Sequence, residues 1–140
     1  MQIEEALSKD DLTRCFEVMK ELRPHHSPES FLSVMDQMIK EGYHLYYLED
    51  GERIVCVAGF RFTTTLYDGL IIDFDDLVTL ADARGKGYAG KLFDHLVSIA
   101  KGRNIKTLHL NSNHRRFDAH RFYLNKKMNI VAHHFRVEIE

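Results

Sequence analysis

Apolar positions recur along this chain with two different spacings, and the switches between them mark out its elements. Leu12, Cys15, Phe16, Met19 and Leu22 lie three or four residues apart, the spacing of one helical face. Ser8 or Asp10 can cap that helix. Ser27-Pro28 gives a second cap followed by proline at the first helical position. Phe31, Leu32, Met35, Met38 and Ile39 form the stripe of the next helix, and Gly42 ends it. The spacing then changes. Tyr43 to Leu48 and Arg53 to Phe62 flank Asp50-Gly51 and read as a hairpin. Asp68-Gly69 signals a further turn before a strand from Leu70 to Leu80. Helical spacing returns from Tyr88 to Lys101, with Gly102 as its stop. Ile105 to Leu110 reads as a strand, Arg116 to Lys126 as a helix and Asn129 to Ile139 as a closing strand. Gln2 to Ala6 adds a short first strand by alternation. This order predicts an α/β (α+β) fold: a mixed, mostly antiparallel sheet with helices on both faces.

The most informative stretch joins the strand ending at Leu80 to the helix opening at Tyr88. It reads Asp82-Ala-Arg-Gly-Lys-Gly-Tyr-Ala-Gly-Lys91. Glycines let backbone N–H groups turn toward a ligand, and a helix N-terminus adds unpaired donors and a dipole that favours anions. Arg84 and Lys86 add positive charge. The stretch therefore predicts a pyrophosphate cradle. Gly85, Gly87 and Gly90 satisfy the dinucleotide fingerprint. The following strand, however, runs into Asn111-Ser112-Asn113 and supplies no carboxylate for a ribose. No kinase partner motifs are present, and Gly85-Lys86-Gly87 is not a Walker A ending.

Arg84-Gly85-Lys86-Gly87-Tyr88-Ala89 resembles the Arg/Gln-x-x-Gly-x-Gly/Ala motif of the GCN5-related N-acetyltransferases, the GNAT superfamily. Ala119-His120-Arg121-Phe122-Tyr123 is similar to the later helix of that family, whose alanine and tyrosine face the coenzyme. The two blocks come in the family's order, and the resemblance runs from roughly Asp10 to Val137. It implies one GNAT domain over residues 1–140, a sheet of six to seven strands, and an acyltransferase using acetyl-CoA as co-substrate. The expected reaction moves an acetyl group to a primary amine of a small molecule or peptide by direct attack on the thioester. A non-catalytic acyl-CoA sensor on the same fold is the alternative, and a longer acyl donor is a third reading.

The same resemblance assigns residues. Leu77, Val78 and Thr79 would pair with the pantetheine arm, and an N–H near Val78 would face the thioester oxygen. Arg84, Gly85, Lys86, Gly87, Tyr88, Ala89 and Gly90 would hold the pyrophosphate. Arg116, Ala119 and Phe122 would meet the coenzyme from the later helix. Arg116 replaces the family's usual asparagine, and Lys127-Met128 stands where Gly-Phe usually ends the motif. Tyr123 would protonate the departing thiolate. Asp75 or Asp76 is the expected base, acting directly or through water, with Asp73 a further candidate. Strict alternation places Asp73 and Asp75 on one face and Asp76 on the other; a bulge, common in this strand of the family, would reverse that.

Composition narrows the picture further. The chain has 140 residues, of which 44% are hydrophobic, enough for one core. A formal net charge of −2 supplies no basic field for nucleic acid. No apolar run approaches membrane-spanning length, and the N-terminus lacks a secretory pattern. The two cysteines, Cys15 and Cys56, form no C-x-x-C pair, so a reducing cytoplasmic setting is expected. Nine histidines are present, yet none falls in a metal-binding spacing, and no metal is expected. His25 and His26 lie in the loop that often lines the acceptor pocket in the family. Homodimers are common in the family; no residue of the sequence decides whether this chain forms one.

Overall fold

The computed structural model describes residues 1–140. They form two compact units, Met1–His109 and Leu110–Glu140. In chain order the elements are β1 (Gln2–Glu5), α1 (Lys9–Leu22), α2 (Pro28–Lys40), β2 (Tyr43–Asp50), β3 (Arg53–Thr65) and β4 (Gly69–Thr79). A single 3-10 turn (Ala81–Ala83) leads to α3 (Tyr88–Gly102), β5 (Leu108–Leu110) and α4 (Phe117–Asn125). The five strands form one sheet in the order β1-β2-β3-β4-β5. The first three pairings are antiparallel.

Local chemistry explains the element ends. Ser8 caps α1, its hydroxyl accepting from the Asp11 N–H at 3.0 Å while the Asp11 carboxylate reaches back to the Ser8 N–H. Ser27 caps α2 in the same way through Ser30, with Pro28 in the first turn. Each such cap stabilises a helix by about 1 kcal/mol. Gly51 takes φ +68° in the two-residue turn between β2 and β3, a backbone that a Cβ would strain.

The sheet of the first unit is covered on both faces. Tyr43, Leu45 and Tyr47 alternate toward α1 and α2, where they pack with Cys15, Phe16, Met19, Phe31 and Met35. Tyr46 and Phe74 turn the other way and meet His95 and Phe93 of α3, at 6.1 and 5.8 Å between ring centroids. Each large side chain so buried contributes about 1.5–3 kcal/mol.

Two expectations need correction. The sheet has five strands, not six or seven. Residues 129–139 carry the alternation of a strand but form none, and β5 is shorter than Ile105–Leu110. Ile105 instead closes α3, its N–H bonding to the Ala100 carbonyl at 2.9 Å. Alternation marks what can be a strand; pairing needs a neighbour as well.

Candidate active site

The turn between β4 and α3 is built from backbone. Arg84 Nε donates to the Thr79 carbonyl at 3.2 Å, and its guanidinium lies 3.4 Å from Glu21, so this side chain ties the turn back to β4 and α1. The Ala81 N–H donates to the same Glu21 carboxylate at 2.9 Å. Gly85 and Gly87 take φ +80° and +81°, and a Cβ on either would meet nothing within 4 Å. Gly87 is the N-cap of α3 and brings no side chain to that role. The first helical bond of α3 runs from the Lys91 N–H to the Gly87 carbonyl. The N–H groups of Gly85, Lys86, Gly87, Tyr88, Ala89 and Gly90 therefore donate to no protein acceptor. A run of unpaired donors at a helix N-terminus is the arrangement that receives a phosphate. Lys86 is exposed beside them, while the Tyr88 hydroxyl is held by Asp50.

Directly upstream, Leu77, Val78 and Thr79 pair with Ala58, Val57 and Cys56 of β3. On its other side β4 meets β5 near Ile72, whose N–H bonds to the Thr107 carbonyl at 3.4 Å. A three-residue strand spans only about 10 Å, so β5 does not reach Leu77–Thr79. That edge of β4 is open to a ligand carrying amides of its own.

The three aspartates of β4 are rearranged by a bulge. Gly59 pairs with Asp76 and Phe60 with Phe74, which leaves Asp75 as the extra residue. Phe74 packs on α3, yet Asp76, two residues on, turns to the α1 face. The bulge thus reverses the facing that strict alternation predicts. Asp73, opposite Arg61, and Asp76 share the α1–α2 face, and Asp75 bonds to Arg61 there at 2.8 Å.

Asp76 is the buried carboxylate of the protein, only 8% exposed. Its oxygens accept from Arg23 Nε at 2.9 Å and from the Tyr43 hydroxyl at 2.6 Å. The Arg23 guanidinium also donates to the Asp75 carbonyl at 3.1 Å, pinning the bulge to the end of α1. Burial first, and the Asp76 charge second, push the Tyr43 phenol well above its ordinary pKa. Tyr43 reaches Asp76 by lying across Gly59: a Cβ there would stand 1.6 Å from the Tyr43 hydroxyl. Burial, then the Asp75 charge, raise the pKa of Asp73.

Beside this cluster is a cleft of about 230 Å³. Met19, Phe31, Val34, Met35 and Met38 supply its apolar wall. Arg23, His25, His26, Tyr43 and Asp76 supply its polar end. His26 is turned to α2, Nδ1 lying 3.0 Å from the Ser30 hydroxyl. Asp73, Asp75 and Asp76 face two cations, Arg23 and Arg61, and Glu41 lies 3.8 Å from Arg61 as well. Carboxylates therefore outnumber guanidiniums at this end, which favours a cationic visitor. Nothing in the sequence pointed to Arg23, Tyr43 or Gly59 for this role. The one available signal was a lone glycine inside a strand, which marks a bulge or a close approach.

In the second unit, Tyr123 is buried on α4 at 9% exposure, with the Phe122 ring 5.7 Å away. Burial raises its phenol pKa, and Arg116 and then Ser112 oppose that rise. Ser112 Oγ itself is buried without a well-formed partner. Ala119 is half-buried, and His120 on the same helix bonds back to the Asn113 carbonyl at 2.9 Å.

The model of the acetyltransferase (GNAT) family matches residues 9–128, which include the glycine turn, the bulged strand and α4. The chain belongs to the GNAT acetyltransferase family. It is 30% identical over 127 residues to an uncharacterized N-acetyltransferase, YhdJ, of Bacillus subtilis strain 168, covering 90% of this chain and 89% of that one. Among solved structures, a transcriptional regulator from Bacillus halodurans C-125 superposes with a TM-score of 0.85 at 23% identity, over 99% of both chains. AAC(6')-Iy in complex with the bisubstrate analogue CoA-S-monomethyl-acetylneamine superposes at 0.84 with 10% identity, over 99% of this chain and 97% of that one. At those identities the structures share the fold of this GNAT chain. No helix is long and apolar enough to cross a membrane.

Proposed function

We propose that this GNAT chain is an acetyl-CoA-dependent N-acetyltransferase acting on a primary amine whose carbon skeleton is apolar. The observation that carries the reading is the pairing, on one strand, of two unlike features. The end of β4 opens into the unpaired amides of residues 85–90, and a few residues upstream a buried aspartate stands at the head of an apolar cleft. The chain's own groups fit the coenzyme: a diphosphate needs the donors of the turn, and an amide-bearing arm needs the open edge of Leu77–Thr79. The thioester supplies an acyl group that is already activated.

The residues divide the remaining work. The surplus of carboxylates around Asp76 draws in an ammonium, and the apolar wall holds its skeleton. The ammonium must lose a proton before it can attack. Both Asp76 oxygens are already engaged by Arg23 and Tyr43, so Asp76 is better suited to fixing the amine than to taking its proton. Asp73, whose pKa is raised, is the better-matched base, working through water. Asp75 spends one oxygen on Arg61 and shapes the bulge. The Val78 N–H is the candidate oxyanion donor. Tyr123 is the proton donor on chemical grounds, since its phenol is protonated at neutral pH and burial raises its pKa further.

One observation favours the rival reading of a non-catalytic acyl-CoA sensor: each oxygen of the buried carboxylate already accepts one hydrogen bond from the protein. Two measurements separate the readings. Coenzyme A at millimolar concentration should raise the melting temperature. Thiol release from acetyl-CoA should then be fastest with alkyl- or arylalkylamines, slower with polyamines, and cut by Tyr123→Phe more in kcat than in KM. Stabilisation without release across the panel selects the sensor; no stabilisation removes both readings.

A further inference from the structure

Asp76 presents a conflict. Its charge is what would draw in an acceptor's ammonium, yet each of its oxygens already accepts a hydrogen bond. The two donors are held very differently. Tyr43 is 3% exposed, and its ring fills the space over Gly59. Arg23 is its opposite, with 44% of its side chain in water. Arg23 ends α1, where its N–H bonds to the Met19 carbonyl at 2.9 Å. Pro24 follows and disfavours a further helical turn. The backbone is thus fixed, while the guanidinium reaches Asp76 on a stem of three methylenes that can fold outward without disturbing the helix.

We propose that Arg23 is a resident stand-in for the acceptor: its guanidinium holds the ammonium seat on Asp76 and is displaced into water by the incoming amine, while Tyr43 stays. The inference rests on the reading of the cleft as the acceptor site. The seat suits a cation from elsewhere. Nε and a terminal nitrogen of Arg23 both stand 2.9 Å from one Asp76 oxygen, and the Asp75 carbonyl accepts from the same guanidinium at 3.1 Å. An ammonium carries three donors, and these two oxygens would receive two of them. Arg23, Tyr43 and Asp76 line the cleft together with Met19, Met35 and Met38, so an amine seated on Asp76 lays its skeleton on the methionines. A second cation beside an unmoved Arg23 would meet a like charge, with one buried carboxylate to offset both. Exchange avoids that, and it also leaves Asp76 compensated at every stage, where an unpaired buried charge would be costly. Arg23 thereby takes part in selection. A tethered cation competes at high local concentration, so an amine must add contact with the apolar wall to take the seat.

The test is an NMR titration of the full chain with n-hexylamine, in the presence of coenzyme A, which carries no acyl group and permits no turnover. Two signals are followed. The methyl groups of Met19, Met35 and Met38 report entry into the cleft, and the Arg23 Nε–H reports the ion pair with Asp76. The Nε–H resonance should move to the position of a water-exposed arginine in step with the methyl shifts. In Arg23→Gln the dissociation constant of n-hexylamine, read from the same methyls, should fall about fivefold, the fold-change that a half-exposed ion pair represents. A residue that merely pinned the bulge would cost stability and leave that constant where it was. Should Arg23→Gln not fold, the wild-type titration decides alone. Methyl shifts with an unmoved Arg23 signal overturn the proposal and leave the acceptor reading standing, as does an unchanged or raised dissociation constant in Arg23→Gln. Methyls that respond to no amine remove the acceptor cleft itself, and the proposal with it.

Discussion

The glycine turn and the apolar cleft lie at neighbouring positions on β4, yet they are made in opposite ways. The turn is backbone: six amides from one contiguous stretch, shaped by two glycines at positive φ. The cleft is side chain: Arg23 from α1, Tyr43 from β2, Gly59 from β3 and Asp76 from β4 meet across 53 residues of chain. On the proposed reading the first would hold the diphosphate of the coenzyme, using donors that come from one short stretch. The second would hold the acceptor amine, and it depends on contacts between distant residues. The first is therefore built locally, and the second from long-range contacts.

The sharpest way to break that contrast is at Gly59. A methyl group there would overlap the Tyr43 hydroxyl and ring, so Gly59→Ala must expel Tyr43 from Asp76 or move β3. The expected loss is about 3 kcal/mol of folding stability, at the high end of overpacking costs, read by urea denaturation. Combining it with Tyr43→Ala should recover part of that loss, because the two residues share one contact. Strict additivity would mean that Tyr43 does not lie over Gly59. Coenzyme-induced stabilisation should persist in any variant that still folds, since the turn is built elsewhere.

A narrower cut separates acceptor binding from coenzyme binding. Asp76→Asn keeps the shape and the Arg23 contact but removes the charge at the head of the cleft. The acceptor KM should rise about tenfold or more, while the melting-temperature rise with coenzyme A stays within error of wild type. Equal losses in both would place Asp76 in the coenzyme site and erase the division between the two regions.

Gly87→Ala attacks the other side. Its Cβ would meet nothing within 4 Å, so the cost comes from the positive φ alone, about 1–2 kcal/mol. Relief of that strain would rotate the amides, and coenzyme affinity measured by calorimetry should drop about tenfold. The acceptor KM should not move.

The contrast also explains which parts of the molecule are legible in its sequence. The turn, the capped helices α1 and α2 and the β2–β3 hairpin can be read because each is written in adjacent residues. The family resemblance rests on the same local stretches. The facing of Asp76 is not written in the alternation of its strand: it depends on a bulge opposite Gly59, which only the family resemblance raised, and the partners of Asp76 lie on other elements. The closing strand shows the complementary failure. Its alternation from Phe135 to Ile139 is present as a pattern, but a pattern does not supply the neighbouring strand that pairing needs.

The smallest expected effect concerns pH, and it sets the two regions apart by chemistry rather than by location. Amides do not titrate, whereas the cleft gathers carboxylates. The pKa of Asp73 is raised by burial and by Asp75, more than His109 and Arg61 lower it. Folded Asp73 therefore holds its proton at pH values where the unfolded chain, with a carboxyl near 3.9, has lost it. In that window the native state binds more protons than the unfolded state, so the contribution of Asp73 falls as pH rises and levels off above its folded pKa. The difference in unfolding free energy between wild type and Asp73→Asn should accordingly decline across the window. The same difference for Gly87→Ala should stay flat. A wild-type advantage over Asp73→Asn that grows with pH would mean that Arg61 and His109 outweigh the neighbouring aspartate, and that the polar end of the cleft is not the electronegative site an incoming ammonium requires.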